Sequence, residues 1–196
     1  MTPPLLETIQ LPTLIMIRGI PGGGKSYLAT AIQQILGSDS VVIIDPDTTD
    51  YSSAEYIDFS DSLLRDGVDL TFHPYRFNRA RAHQAILDQK VVIWNQAFMS
   101  FDGLDKTVAN LQAFAEESGL PLPVVIAEVE IEQHIAQQRI ADRAAHGGHN
   151  VTDDKLTRFV GTYHSFAGQG YETVTINGVD EITASATNVL HRLAKR

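Results

Sequence analysis

Gly19-Ile20-Pro21-Gly22-Gly23-Gly24-Lys25-Ser26 fills every fixed position of the phosphate-loop pattern G-x-x-x-x-G-K-[ST]. An apolar run of strand type, Thr13-Leu14-Ile15-Met16-Ile17-Arg18, leads into it. The residues after it, from Tyr27 to Leu36, are apolar at helical spacing. Strand, glycine loop and helix are the context in which the pattern has a physical meaning. Without a Cβ, Gly19, Gly22, Gly23 and Gly24 let successive backbone N–H groups turn inward around a polyphosphate. The positive end of the following helix points at the same anion. Lys25 then reaches the β- and γ-phosphates, the Ser26 hydroxyl meets Mg²⁺, and Tyr27 follows at the rim. The expected cofactors are therefore ATP or GTP with Mg²⁺.

The chain has 196 residues, within reach of one α/β domain with a sizeable core. Its hydrophobic content of 43% is ordinary for a globular protein. A net charge of −9 disfavours adhesion of the whole molecule to long nucleic acid or to an anionic membrane, while leaving room for a local basic cleft. There is no cysteine, hence no disulfide framework and no thiolate metal site, which suits a reducing cytosol. The apolar run at 14–17 is too short to span a bilayer and no basic segment precedes it, so the expectation is a cytoplasmic protein with no signal peptide and no membrane partner.

Hydrophobic patterning lays out alternating strands and helices. Residues 1–12, with Pro3, Pro4 and Pro12, read as an extended lead-in. Strands are expected at 13–18, 41–44, 91–94, 123–129 and 171–176. Helices are expected at 27–36, 53–65, 73–89, 104–118, 131–145, 153–166 and 182–193, with Gly37 and Gly119 as stops. Val41-Val42-Ile43-Ile44 reads as a strand buried on both faces, and Asp102-Gly103 as a turn or cap. Such alternation predicts a parallel five-stranded sheet of P-loop NTPase type, helices on both faces, in a single domain over 1–196. Ligands bind such sheets at the carboxyl ends of the strands, where the glycine loop, Asp45, Asp47, Asn95 and Gln96 all fall.

Several groups there can carry chemistry. A carboxylate beside a triphosphate, Asp45 or Asp47, can accept the proton of an attacking hydroxyl or help hold hydrated Mg²⁺ together with Ser26. Asp-Pro-Asp is equally good turn chemistry. Arg139 and Arg143 stand four apart on one helix face, before the hinge-like His146-Gly147-Gly148-His149. A helical lid over about 139–158 that carries them can close guanidinium groups over transferring phosphates, and Arg158 is a further candidate. Arg76 and Arg79, with Arg81, form a basic, aromatic-containing strip that suits a phosphorylated acceptor or describes a solvated helix face. His146 and His149 make a weak metal pair, lacking a third ligand in register. Asn95 puts an amide where many P-loop proteins place a magnesium-binding carboxylate.

Together these stretches resemble the zeta-toxin and polynucleotide-kinase-like group of P-loop kinases. The resemblance runs from about 13 to 165. It rests on Gly19 to Ser26, Ile44-Asp45-Pro46-Asp47, His73-Pro74-Tyr75 with Asn78-Arg79, Arg139 to Arg143, and Gly147-Gly148-His149-Asn150-Val151 followed by Lys155 to Phe159. It implies that Asp47 is the base and that Arg139 and Arg143 contact nucleotide phosphates. It also implies phosphorylation of a UDP-N-acetyl sugar on a hydroxyl and an antitoxin protein that occludes the nucleotide site. The family's glutamate after the third strand is not evident, since Trp94-Asn95-Gln96 stands there, and Asn95 looks closer to the polynucleotide-kinase-like relatives. The expectation is a kinase acting on the hydroxyl of a small acceptor. A polynucleotide 5′-hydroxyl kinase acting on a nucleic-acid end, or a nucleotide-dependent switch or assembly NTPase, are the alternatives.

Overall fold

In the computed structural model, which describes residues 4–147 and 151–194, five parallel strands form one sheet in the order β2-β3-β1-β4-β5. The strands are β1 (Thr13–Gly19), β2 (Val41–Ile44), β3 (Val91–Asn95), β4 (Val124–Glu130) and β5 (Glu172–Asn177). The helices are α1 (Pro4–Thr8), α2 (Lys25–Leu36), α3 (Ala54–Arg65), α4 (His73–Leu87), α5 (Phe101–Glu117), α6 (Gln133–Ala145), α7 (Asp153–Thr162) and α8 (Ile182–Leu193).

β1 is central and buried along its whole length. Its side chains alternate between the two faces, as strand geometry requires. Ile15 and Ile17 join Leu28, Ile32 and Leu36 of α2 and Val189, Leu190 and Leu193 of α8. Leu14 and Met16 join Ala82 and Ile86 of α4, Leu104, Val108 and Leu111 of α5, and Trp94. Each such buried aliphatic side chain contributes about 1.5–3 kcal/mol, so two full layers hold the sheet flat against its helices. The strand register pairs Ile17 with Asn95, Ile44 with Trp94 and Gly19 with Val129, which levels the carboxyl ends of β1 to β4 into one edge.

The differences from expectation have local causes. The lead-in is not extended throughout: α1 forms because Leu5, Leu6 and Ile9 pack together on the α2–α8 layer. β2 is an edge strand, so Val42 and Ile43 are only partly covered and the run is not buried on both faces. Asp102-Gly103 lies inside α5, which starts at Phe101. α7 stops at Thr162 rather than running on to 166, because the chain turns back to bury Phe166 beneath the sheet edge.

Two segments stand over the carboxyl edge. α3 follows the Ser53 cap, which accepts from the Tyr56 N–H, and leans on α4 through edge contacts of Tyr56 and Phe59 with Phe77. α6 and α7 form a small helical pair with its own core, in which Ala136, Ile140, Val151 and Leu156 cluster around Ile20 of the glycine loop. Residues 148–150 between them, including His149, lie outside the described residues.

Candidate active site

Three backbones converge on the glycine loop. At Gly19 (φ 149), a Cβ would stand 2.4 Å from the Val129 carbonyl oxygen of β4. At Gly22 (φ 79), it would stand 2.6 Å from the Ala136 carbonyl oxygen of α6. From the opposite side the turn after β5 closes in, where a Cβ on Gly178 would meet the Gly23 carbonyl oxygen at 2.6 Å. Gly24 (φ 100) then turns the chain into α2, whose first residue is Lys25. Any larger residue at these contacts would force backbone apart, which is why glycine is needed there.

Lys25 Nζ donates to the Ile20 carbonyl oxygen at 3.2 Å, folded back across the loop. Burial pushes its ammonium down to about 8, against the opposing pull of Asp47 and then Asp45, and the Arg143 charge lowers it further. These four side chains, from α2, the turn after β2 and α6, therefore share one electrostatic environment.

The Asp45-Pro46-Asp47 turn is locked by its own backbone. The Thr48 and Thr49 N–H groups donate to the Asp45 carbonyl oxygen, and the Asp47 N–H donates to Asp45 Oδ1 at 3.0 Å. Asn95 Nδ2 donates to Asp45 Oδ2 at 2.6 Å and to Ser26 Oγ at 3.0 Å. Both Asp45 oxygens are thus engaged. Asp47 is exposed, and among the described residues no hydrogen bond engages its carboxylate. Of the two carboxylates expected beside Ser26, Asp45 is the one joined to it by hydrogen bonds, through Asn95.

Asn95 is 3% exposed and its Oδ1 is buried without a partner beside that hydroxyl and carboxylate. A hydroxyl, a carboxylate and a spare amide oxygen are hard donors, and Mg²⁺ takes few of these while keeping several waters, so the residues present fit this ion. Among the described residues there is no cluster of three or more His, Cys, Asp or Glu that could hold a metal by itself.

All of this opens into a cavity of about 1530 Å³, larger than the range usual for one small ligand. Gly22 to Tyr27, Asp45, Asp47 and Asn95 line it, with Arg139 and Arg143 of α6 across from them. An Arg139 guanidinium nitrogen lies 3.6 Å from where a Gly24 Cβ would be, directly over the loop. Arg76, Arg79 and Arg158 are not on this lining. Arg79 instead donates to Asn110 Oδ1 at 3.2 Å and lies 5.7 Å from the Tyr75 ring centre. Arg158 is exposed on α7.

The His73 to Arg79 stretch has another job in the fold. Asn78 (1% exposed) donates to Tyr51 Oη and to the Pro74 carbonyl oxygen, both at 3.0 Å, and its Oδ1 lies 2.9 Å from the Thr49 hydroxyl. His73 is buried between Ser60 and the Val68 carbonyl oxygen. Asn78 thereby braces the turn that carries Asp45 and Asp47, while His73 ties α4 to α3 and the loop after it.

The 97–100 stretch and the turn after β5 line the cavity without a motif to betray them, next to Gln96 and Lys155, which lie in stretches the sequence singles out. Arg18 and Glu128 form a fully buried ion pair where β1 meets β4. The signal for that pair was present: a charge inside each of two otherwise apolar strands.

Comparison with known proteins places the fold and the family. The chain is similar in fold to several solved structures. One is a gluconokinase from Sinorhizobium meliloti 1021, at TM-score 0.56 and 19% identity over 94% of this chain and 95% of that one. Another is Chaetomium thermophilum Kti12 in complex with ADP-AlF3, at TM-score 0.60 and 14% identity over 93% and 100%. A third is the Pnkp1/Rnl/Hen1 RNA repair complex, at TM-score 0.57 and 17% identity over 78% of this chain and 44% of that one. No curated protein matches. The family described as zeta toxin matches residues 3–191, which take in the glycine loop, the Asp-Pro-Asp turn and the α6 arginines, and the chain belongs to that family.

Proposed function

We propose that this protein is a kinase that uses ATP or GTP with Mg²⁺ to phosphorylate the hydroxyl of a small acceptor, of the class of a UDP-N-acetyl sugar. The observation that carries the reading is the meeting of Lys25 with Asp47, Asp45 and Arg143 at the mouth of one glycine loop. A free carboxylate to take a proton and arginines to offset charge, gathered around one lysine, are the groups that transfer to a hydroxyl requires.

The glycine loop amides and the α2 N-terminus hold the β- and γ-phosphates, and Lys25 leaves Ile20 to join them. Ser26, Asp45 and Asn95 would hold Mg²⁺, which neutralises charge building on the phosphate oxygens. Asp47 takes the proton of the acceptor hydroxyl as its oxygen bonds to the γ-phosphorus, and the bond to the β–γ bridging oxygen breaks to release the nucleoside diphosphate. Arg139 and Arg143 close over the transferring group and offset its charge. Asp47 is the better base because its carboxylate is open, whereas Asp45 already accepts from two N–H groups.

The test uses γ-labelled ATP and GTP with UDP-sugars, nucleosides, gluconate and 5′-hydroxyl oligonucleotides. Label on a small acceptor, lost in Asp47→Asn and in Lys25→Ala, is the expected result. Label on the oligonucleotide alone moves the protein to polynucleotide 5′-hydroxyl kinases. Slow phosphate release unchanged by Asp47→Asn makes it a nucleotide switch. Growth arrest on expression, relieved by Lys25→Ala, is the outcome expected if a toxin role and an antitoxin partner go with the activity.

A further inference from the structure

Arg18 and Glu128 are placed as partners by the strand register, side by side on β1 and β4, and both side chains are wholly buried. Removing two charges from water is a poor route to stability, since apolar replacements of similar volume often do as well or better. What the pair does have is reach. Arg18 Nε donates to the Phe98 carbonyl oxygen at 3.1 Å, in the stretch that walls the cavity after β3. Arg18 Nη1 donates to the His164 carbonyl oxygen at 2.9 Å, just beyond α7. Glu128 accepts from Ser165 Oγ at 2.5 Å and from the Phe166 N–H at 2.7 Å. The guanidinium lies 3.5 Å from the Phe166 ring centre and 4.4 Å from that of Tyr163.

One rigid pair therefore grips both the wall at 96–100 and the exit of the lid at 163–166. Two further observations mark this junction as mechanical. Phe98 sits at φ 39, a left-handed conformation that a bulky residue keeps only when its surroundings hold it there. Arg18 Nη2 and the Tyr163 hydroxyl are both buried without a partner. Buried donors without a partner are costly, and a shift of α7 that gave them one would recover that cost.

We propose that Arg18 and Glu128 are positioning residues that couple lid closure to the cavity wall at 96–100, so that nucleotide binding shapes the acceptor side of the site. This rests on the kinase reading above. A guanidinium is suited to the task because its planar fork serves Phe98, Glu128 and His164 in fixed directions, which one ammonium cannot.

The test is amide hydrogen exchange with and without Mg²⁺ and AMP-PNP, on wild type, on Arg18→Lys, and on the double variant Arg18→Met with Glu128→Leu. The double variant removes both charges together and keeps the fold within reach should the single one fail to fold. In wild type, nucleotide slows exchange at 19–26, at 163–166 and at 96–100. In the variants 19–26 is slowed as before, while the response at 96–100 shrinks about fivefold or more, a coupling of ordinary size between sites. Loss of a merely structural pair would lower the melting temperature and leave the nucleotide response of 96–100 in place, and that result overturns the proposal. So does a wild-type wall that ignores nucleotide while 19–26 responds. No response at 19–26 in wild type overturns the kinase reading itself, and the coupling falls with it.

Discussion

Asn95 donates its side-chain amide to the Ser26 hydroxyl at 3.0 Å, joining the end of β3 to the first turn of α2. The same nitrogen holds Asp45, and the free Oδ1 is buried. In a metal-free site the NH₂ group stands between two oxygens as a cation would. Asn95→Asp replaces that donor by a second carboxylate against Asp45. Without metal, the variant is expected to lose about 2 kcal/mol, or roughly 4–8 °C in melting temperature. Mg²⁺ should recover most of the loss in Asn95→Asp and little of it in Asn95→Ala. Melting curves in EDTA and in Mg²⁺ check this, and an Asp variant indifferent to Mg²⁺ would put the ion elsewhere.

Lys25 gives nucleotide binding a pH dependence of definite sign. Its folded value of about 8 comes first from burial, and a bound polyphosphate restores the preference for the charged form. Below pH 8 the ammonium is charged with or without nucleotide, so affinity is flat. Above pH 8 binding must take up a proton, and affinity falls by up to about tenfold per pH unit. Calorimetry of AMP-PNP binding in buffers of different ionisation enthalpy should detect proton uptake at pH 9 and none at pH 7. Lys25→Arg, charged throughout, should abolish the uptake whatever it does to affinity.

Two glycines separate site geometry from helix propensity. A Cβ at Gly178 meets backbone oxygens of Gly23 at 2.6 Å and Glu130 at 3.1 Å, so Gly178→Ala must push the turn after β5 off the glycine loop. Nucleotide affinity should drop about tenfold or more, the effect of losing ~1.4 kcal/mol of contact. Gly161 on α7 has nothing within 4 Å of such an atom. Gly161→Ala should leave affinity alone and stabilise α7 by up to about 1 kcal/mol. Binding isotherms and melts of the two variants tell the effects apart.

The sheet and the glycine loop were legible because their signals are local. Leu14 and Met16 against Ile15 and Ile17 announce a two-faced strand, and the loop's glycines announce its backbone. β2 misled because an apolar run says nothing about a strand's place in the order, and only the crossover from β2 to β3 to β1 leaves Val42 and Ile43 half covered. Arg76 and Arg79 lie off the cavity lining for a related reason. They carry the right chemistry, but helical phase turns Arg79 to Asn110 and gives the inward position to Asn78. Arg18 and Glu128 lie 110 residues apart, so their pairing appears only once β1 and β4 are side by side.

That inward Asn78 sets up the last prediction. It ties Tyr51, Pro74 and Thr49 together behind the Asp45-Pro46-Asp47 turn, with no atom in the cavity lining. Asn78→Ala removes these three hydrogen bonds at a buried position, and stability should fall by about 1–3 kcal/mol. Thr49→Val removes only the hydroxyl between the Asp45 carbonyl oxygen and Asn78, a smaller loss of about 1 kcal/mol. Either change lets the turn move, and a shift of about 1 Å at a base can cost on the order of 10² in rate. The glycine loop is held by other contacts, to Val129, Ala136 and Gly178. The phosphoryl-transfer rate should therefore fall while AMP-PNP affinity stays within about twofold, less than ~0.5 kcal/mol. Equal losses of rate and affinity would mean that the brace supports the whole cavity edge and not the Asp47 turn in particular.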